Sequence, residues 1–134
     1  MEFLEYVGKK FELIVFCKGS EMYCKLVLDL LESEKQYFSH CLYSNYVLFE
    51  NQNFSVKYYD FLLTNGRTLS NTVILDCGVE PYCLCLYNGI PVLSFENEHD
   101  TELIHVAKYL DDISKSKDIK KTLTNSLSKC GILS

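Results

Sequence analysis

Two residues of this chain stand where open α/β sheets do their chemistry. Cys17 follows the apolar run Leu13-Ile14-Val15-Phe16, and Asp76 follows Val73-Ile74-Leu75. Each run has the texture of a strand buried on both faces of a parallel sheet. Ligands in such sheets bind beyond the C-terminal ends of the strands. A carboxylate at Asp76 could ligate a cation there; the plainer role is a solvated or helix-capping aspartate ahead of Gly78. A thiol at Cys17 could act as a nucleophile if a glycine-rich loop and an arginine cradled phosphate behind it. Only Lys18-Gly19-Ser20 follows, without arginine, which favours a buried structural thiol.

The other reactive side chains carry less. The seven cysteines (Cys17, Cys24, Cys41, Cys77, Cys83, Cys85, Cys130) are odd in number and lack paired short spacings, and Cys83 and Cys85 would point to opposite faces of a strand. Neither a disulfide framework nor a zinc site is expected, and the thiols read as buried and reduced. His40, His99 and His105 are scattered without metal-ligand spacing, so surface or capping roles are expected. Lys115, Lys117, Lys120 and Lys121 suit a solvated helix face. The aromatic stretch 37–61 could form a partner surface, though the core of a β insertion is the simpler reading.

These residues need elements to hold them. Phe3, Leu4 and Val7 share a helical face, which predicts a short first helix ending near Lys9-Lys10. Ser20 can cap a second helix, in which Tyr23, Leu26, Val27, Leu30 and Leu31 recur at three- and four-residue spacing. Between residues 37 and 57, aromatic and β-branched residues broken by Ser44-Asn45 and Asn51-Gln52-Asn53 predict two or three short strands. A further strand is expected over 91–95. Asp100 can cap a helix carrying Leu103, Val106, Ala107 and Leu110, and a last helix follows through Ile119, Leu123 and Leu127. The order of strands and helices describes an α/β domain with helices on the faces of its sheet.

At 134 residues the chain suits one domain, and 48% hydrophobic with 23% charged residues is a globular composition. A net charge of −5 leaves no basic footprint for nucleic acid. No apolar run is long enough to span a membrane, and residues 1–10 lack the apolar core of a signal peptide. An intracellular soluble protein, cytoplasmic or nuclear, is expected, with no membrane partner.

Read in order, several segments resemble one family. They include Glu2-Phe3-Leu4-Glu5-Tyr6-Val7, Phe11-Glu12-Leu13-Ile14-Val15-Phe16 and Val27-Leu28-Asp29-Leu30-Leu31. Phe38-Ser39-His40-Cys41-Leu42-Tyr43, Gly66-Arg67-Thr68-Leu69, Asn88-Gly89-Ile90-Pro91-Val92 and Asp100-Thr101-Glu102-Leu103 continue the series. The set resembles the RNA polymerase C-terminal-domain phosphatases and NLI-interacting-factor-like phosphatases of the haloacid dehalogenase superfamily. The resemblance covers residues 1–113, with 114–134 as a C-terminal helical segment of the same domain. It implies a Rossmann-like parallel sheet flanked by helices, with a small β insertion. It also implies magnesium-dependent serine/threonine-protein phosphatase chemistry, in which an Asp-x-Asp-x-Thr strand supplies the nucleophile and the acid/base.

The 134 residues contain no Asp-x-Asp-x-Thr; Asp111-Asp112 and Glu96-x-Glu98 are the nearest acidic pairs. By resemblance, Cys17 takes the place of a phosphate-binding hydroxyl residue, Lys57 that of the family's lysine, and Asp76 that of a metal-ligating aspartate. All three read as vestigial. One carboxylate makes a poor magnesium site, so no cofactor is expected unless the N-terminal strand is supplied. The resemblance also places the absent strand at the sheet centre, between those at Leu13 and Val73. Three outcomes follow, namely that the neighbours pair directly, that a partner donates a strand, or that the chain is a fragment of a longer product; direct pairing is expected. These points favour an inactive phosphatase-like domain that binds a protein partner. An N-terminally truncated phosphatase is the alternative, and a mitochondrial presequence-translocase receptor is a minor one.

Overall fold

A computed structural model describes residues 2–17, 19–43, 47–50, 55–57, 62–76, 88–92 and 101–129. The chain opens with helix α1 (Glu2–Val7), followed by strand β1 (Leu13–Phe16) and helix α2 (Glu21–Leu31). Strand β2 (Phe38–Leu42) returns beside β1 in parallel, pairing Val15 with Cys41 and Phe16 with Leu42. A parallel return needs a long crossover, and α2 supplies it. Strands β3 (Val47–Glu50) and β4 (Ser55–Lys57) form an antiparallel pair. Strands β5 (Ile74–Asp76) and β6 (Gly89–Pro91) form a second parallel pair, and helices α3 (Glu102–Ile113) and α4 (Ile119–Lys129) complete the order.

The structure therefore has the α/β class expected from the sequence, with short parallel strands flanked by helices. Three local expectations change. The first strand of the 37–57 stretch, β2, belongs to the parallel pair with β1, and only β3 and β4 make the hairpin. The strand expected over 91–95 lies earlier, at Gly89–Pro91, because Gly89 and Ile90 pair with Ile74 and Leu75. Residues 93–95 and Asp100 lie outside the described residues; Thr101 precedes the first turn of α3.

The core forms where helices cover strands. Val7 of α1 meets Val106 and Leu110 of α3, and Leu13, Leu75 and Ile90 pack against them from the strands. Ile113, Ile119 and Leu123 extend this layer through α4, with Val73 and Ile90 against it. Each such aliphatic side chain stabilises the fold by roughly 1.5–3 kcal/mol when fully buried. An ion pair between Lys10 and Asp111 ties the end of α1 to α3.

Helix α2 starts as expected. The Ser20 hydroxyl accepts a hydrogen bond from the Tyr23 amide at 3.2 Å, satisfying one of the orphan donors of the first turn. Its apolar stripe is another matter. Met22, Leu26 and Leu30 are 75%, 61% and 78% exposed, while Cys24 is buried.

The expected direct pairing of the strands at Leu13 and Val73 does not occur. Among the described residues β1 pairs with β2 and β5 with β6, in separate two-stranded sheets. The reason lies in the helix layer, which packs on both pairs at once and so sets their separation. Phe16 reaches Ile74 and Leu62 on the opposite face, so the two pairs meet through side chains instead of through backbone hydrogen bonds.

Candidate functional site

A cavity of about 510 Å³ separates the two parallel pairs. Leu13, Ile14 and Phe16 of β1 line one wall, and Ile74, Leu75 and Asp76 of β5 the other. Phe3, Leu4 and Val7 of α1 and Leu110 of α3 add an apolar wall. Arg67, Glu12, Lys10 and Asn71 supply its polar lining.

Asp76, the last residue of β5, is half-buried in this lining. Its carbonyl accepts the Val92 amide at 2.7 Å, which fixes the strand end against the chain leaving β6. Cys17 sits one residue past β1, and its amide donates to the Leu42 carbonyl at 2.8 Å. Its thiol keeps the company of Cys24 and Cys41, not of Asp76. Burial pushes the Cys24 thiol up to about 12, with its cysteine neighbours adding to the effect, and burial likewise raises Cys41. All three are free thiols. A protonated, buried thiol is a weak nucleophile, which gives Cys24 structural character. Lys57 is the last residue of β4, with its backbone paired to Val47, away from the parallel pairs in the strand order. The structure thus brings Asp76 to the cavity and places Cys17 in a separate thiol cluster. Cys77 lies outside the described residues.

Among the described residues the donor set around Asp76 does not fit magnesium. Magnesium is held through carboxylates and other oxygen ligands in near-octahedral geometry. Among the described residues no group of three or more His, Cys, Asp or Glu side chains is placed to hold a metal ion. Asp76 is the one carboxylate that closes a strand on the cavity.

The polar residues that organise the cavity rim carry no weight in the sequence reading. Arg67 grips Glu12 bidentately, Nε to Oε2 at 2.8 Å and Nη2 to Oε1 at 2.7 Å. The Ser39 hydroxyl also donates to Glu12 Oε1 at 2.7 Å, and His40 lies 3.9 Å from the same oxygen. Glu12 precedes β1 and Ser39 lies on β2, so the pair joins both strands to the loop carrying Arg67. The hydrogen bonds from Arg67 and Ser39 hold the Glu12 carboxyl down to about 2. Asn88 is buried, and its Nδ2 donates to the Leu69 and Thr72 carbonyls at 2.6 and 2.8 Å. It clamps the approach to β5 against the start of β6. Gly66-Arg67 and Asn88-Gly89 both fall in the segments that carry the family resemblance, which was the one available signal for them. Long-range pairing of residues 55 positions apart leaves no periodic trace.

Parallel strands joined by a crossover helix, covered by helices and ending on a shared cleft, define an α/β protein of the kind that binds ligands at strand ends. The particular family follows from comparison. The family model for NLI interacting factor-like phosphatase matches residues 1–120, and the chain belongs to that family. It is 32% identical over 123 residues to CTD small phosphatase-like protein 3 of Caenorhabditis elegans, covering 90% of this chain and 42% of the relative. It is 35% identical over 125 residues to Phosphatase PSR1 of Saccharomyces cerevisiae, covering 91% and 28%. A probable C-terminal domain small phosphatase of Dictyostelium discoideum is 31% identical over 128 residues, covering 93% and 40%. The chain spans less than half the length of each of these relatives. Among the described residues no helix is long and apolar enough to cross a membrane.

Proposed function

We propose that these 134 residues form a phosphatase-fold binding domain without phosphatase activity of its own. The observation that carries this reading is the cavity between the parallel pairs, whose strand ends bring one carboxylate, Asp76, to an otherwise largely apolar lining. Phosphoryl transfer by an aspartyl mechanism needs an in-line nucleophile, an acid/base and neutralisation of the equatorial oxygens. The 134 residues hold no Asp-x-Asp-x-Thr to supply the first two. Cys17 does not replace them, because its thiol lies with Cys24 and Cys41. Magnesium therefore plays no part in this reading. The domain works in the cytoplasm or nucleus, and its partner is a protein. The test is aryl-phosphate turnover by this chain in magnesium buffer. The expected rate equals that of the Asp76→Asn variant; turnover well above that control defeats the proposal.

The names and lengths of the relatives favour a second reading. In it the chain is part of a longer serine/threonine-protein phosphatase whose nucleophile lies outside these residues. Sequencing the transcript decides it, since an upstream in-frame Asp-x-Asp-x-Thr supports this reading and an in-frame stop codon in its place rules it out.

A further inference from the structure

We propose that Cys17 and Cys24 form a redox pair, in which a hydroperoxide oxidises the half-buried thiol beyond β1 and the buried thiol of α2 resolves it to a reversible disulfide. This goes beyond the binding reading above and does not rest on it, since it needs only the β1–α2–β2 unit.

The crossover sets up the pair. In the parallel ladder Val15 stands opposite Cys41 and Phe16 opposite Leu42, and the Cys17 amide continues it to the Leu42 carbonyl. Side chains alternate along a strand, so Cys17 shares a face with Val15 and with Cys41 opposite it. Cys24 meets both thiols from the helix. Ser20 caps α2, the Cys24 amide closes the first turn onto the Ser20 carbonyl at 3.0 Å, and the Cys24 thiol donates to the Gly19 carbonyl at 3.8 Å. The corner is tight, and glycine permits it: a Cβ on Gly19 would stand 2.6 Å from the Tyr23 ring. The turn folds the chain back until the Cys24 thiol is within hydrogen-bonding reach of Cys17.

Exposure divides the roles. Cys17 is half-buried, so a small oxidant reaches it, whereas Cys24 is 2% exposed. Burial keeps Cys24 protonated, which suits a thiol that acts only on an already oxidised neighbour. Of its two cysteine neighbours, Cys17 acts on Cys24 the more strongly. Cys41 is a poor partner for Cys17. It lies two residues behind along the strand, ~6.6 Å, and one strand across, ~4.8 Å, so their Cα atoms are about 8 Å apart. A disulfide spans at most about 7 Å between Cα atoms. The thiols do not read as a metal site either, because among the described residues no three such ligands converge.

The chemistry balances with a hydroperoxide as oxidant. The Cys17 sulfur attacks the terminal oxygen: an S–O bond forms, the O–O bond breaks, and the leaving oxygen takes the thiol proton and departs as an alcohol. The Cys24 sulfur then attacks the Cys17 sulfenic acid: an S–S bond forms, the S–O bond breaks, and hydroxide leaves with the Cys24 proton as water. Two thiols lose two electrons and the hydroperoxide gains them. The product staples the end of β1 to the first turn of α2.

The experiment treats the whole reduced chain with tert-butyl hydroperoxide, alkylates the remaining thiols and maps tryptic peptides by mass spectrometry. Cleavage after Lys10, Lys18, Lys25, Lys35 and Lys57 puts Cys17, Cys24 and Cys41 on separate peptides. The expected product is a dithiothreitol-sensitive link between peptides 11–18 and 19–25, at least ~tenfold above any link of either to peptide 36–57. Cys24→Ala should leave Cys17 as a sulfenic acid that dimedone labels at least ~tenfold more than in the parent. A folded Cys41→Ser chain should keep the Cys17–Cys24 yield within ~twofold of the parent. Absence of the Cys17–Cys24 link in the parent, a dominant link through Cys41 or through a cysteine outside the described residues, or loss of the link in folded Cys41→Ser would each overturn the proposal. The parent mapping decides by itself, so a variant that misfolds leaves the test intact.

Discussion

At the scale of single residues, the polar contacts that fix this structure are few and separately testable. Glu12 is held by Arg67 and Ser39, which lowers its carboxyl from 4.5 to about 2. A depressed carboxylate stabilises the fold fully above its unfolded value, and this contribution is lost as pH falls from 4.5 towards 2. Because the Glu12 side chain is 42% exposed, the contribution is small, at most ~1 kcal/mol. A carboxyl titration followed by NMR should place Glu12 near 2 in the native chain and return it towards 4.5 in Arg67→Ala. Asn88 is the contrasting case, being buried, with its Nδ2 shared between two carbonyls. Its Oδ1 has no hydrogen-bond partner among the described residues. Asn88→Ala should cost about 1–3 kcal/mol in urea unfolding, because the Leu69 and Thr72 carbonyls lose their donor. Asn88→Asp should cost more, since it sets a carboxylate against two carbonyls.

At the scale of elements, burial separates helices that the sequence makes look alike. Both α2 and α3 carry apolar residues at helical spacing. On α3 the stripe is buried at Val106, Leu110 and Ile113, where α1 and α4 come down on it. On α2 only Cys24 is buried, and Leu26 and Leu30 face solvent. Leu110→Ala should therefore destabilise the chain by about 2–5 kcal/mol in urea unfolding. Leu30→Ala should stay within ~0.5 kcal/mol of the parent. Equal losses at the two positions would show that α2 is covered as fully as α3.

At the scale of the whole molecule, the described residues place two parallel strand pairs on a common helix layer with a largely apolar cleft between them. Anything that binds the native state raises its melting temperature by mass action. Millimolar magnesium should leave the melting temperature of this chain unchanged, as calcium should; a rise with magnesium alone would reveal a site that the described side chains do not form. The family resemblance, the helices and the apolar strands were all legible beforehand, since periodicity and local apolar runs report local structure. The separation of β1 from β5 was not, and the expectation of direct pairing failed for that reason. Nor were the meetings of Glu12 with Arg67 and of Asn88 with the Leu69 and Thr72 carbonyls, which join residues far apart in the chain.

The sequence by itself determined the α/β class, the family and the positions of Cys17 and Asp76 at strand ends, because runs, caps and short motifs are written in neighbouring residues. The tertiary structure alone decided that Cys17 turns to Cys24 and Cys41 while Asp76 joins the cleft. It also decided that β1 and β5 line opposite walls of one cavity, because that placement depends on how the helices pack across both strands.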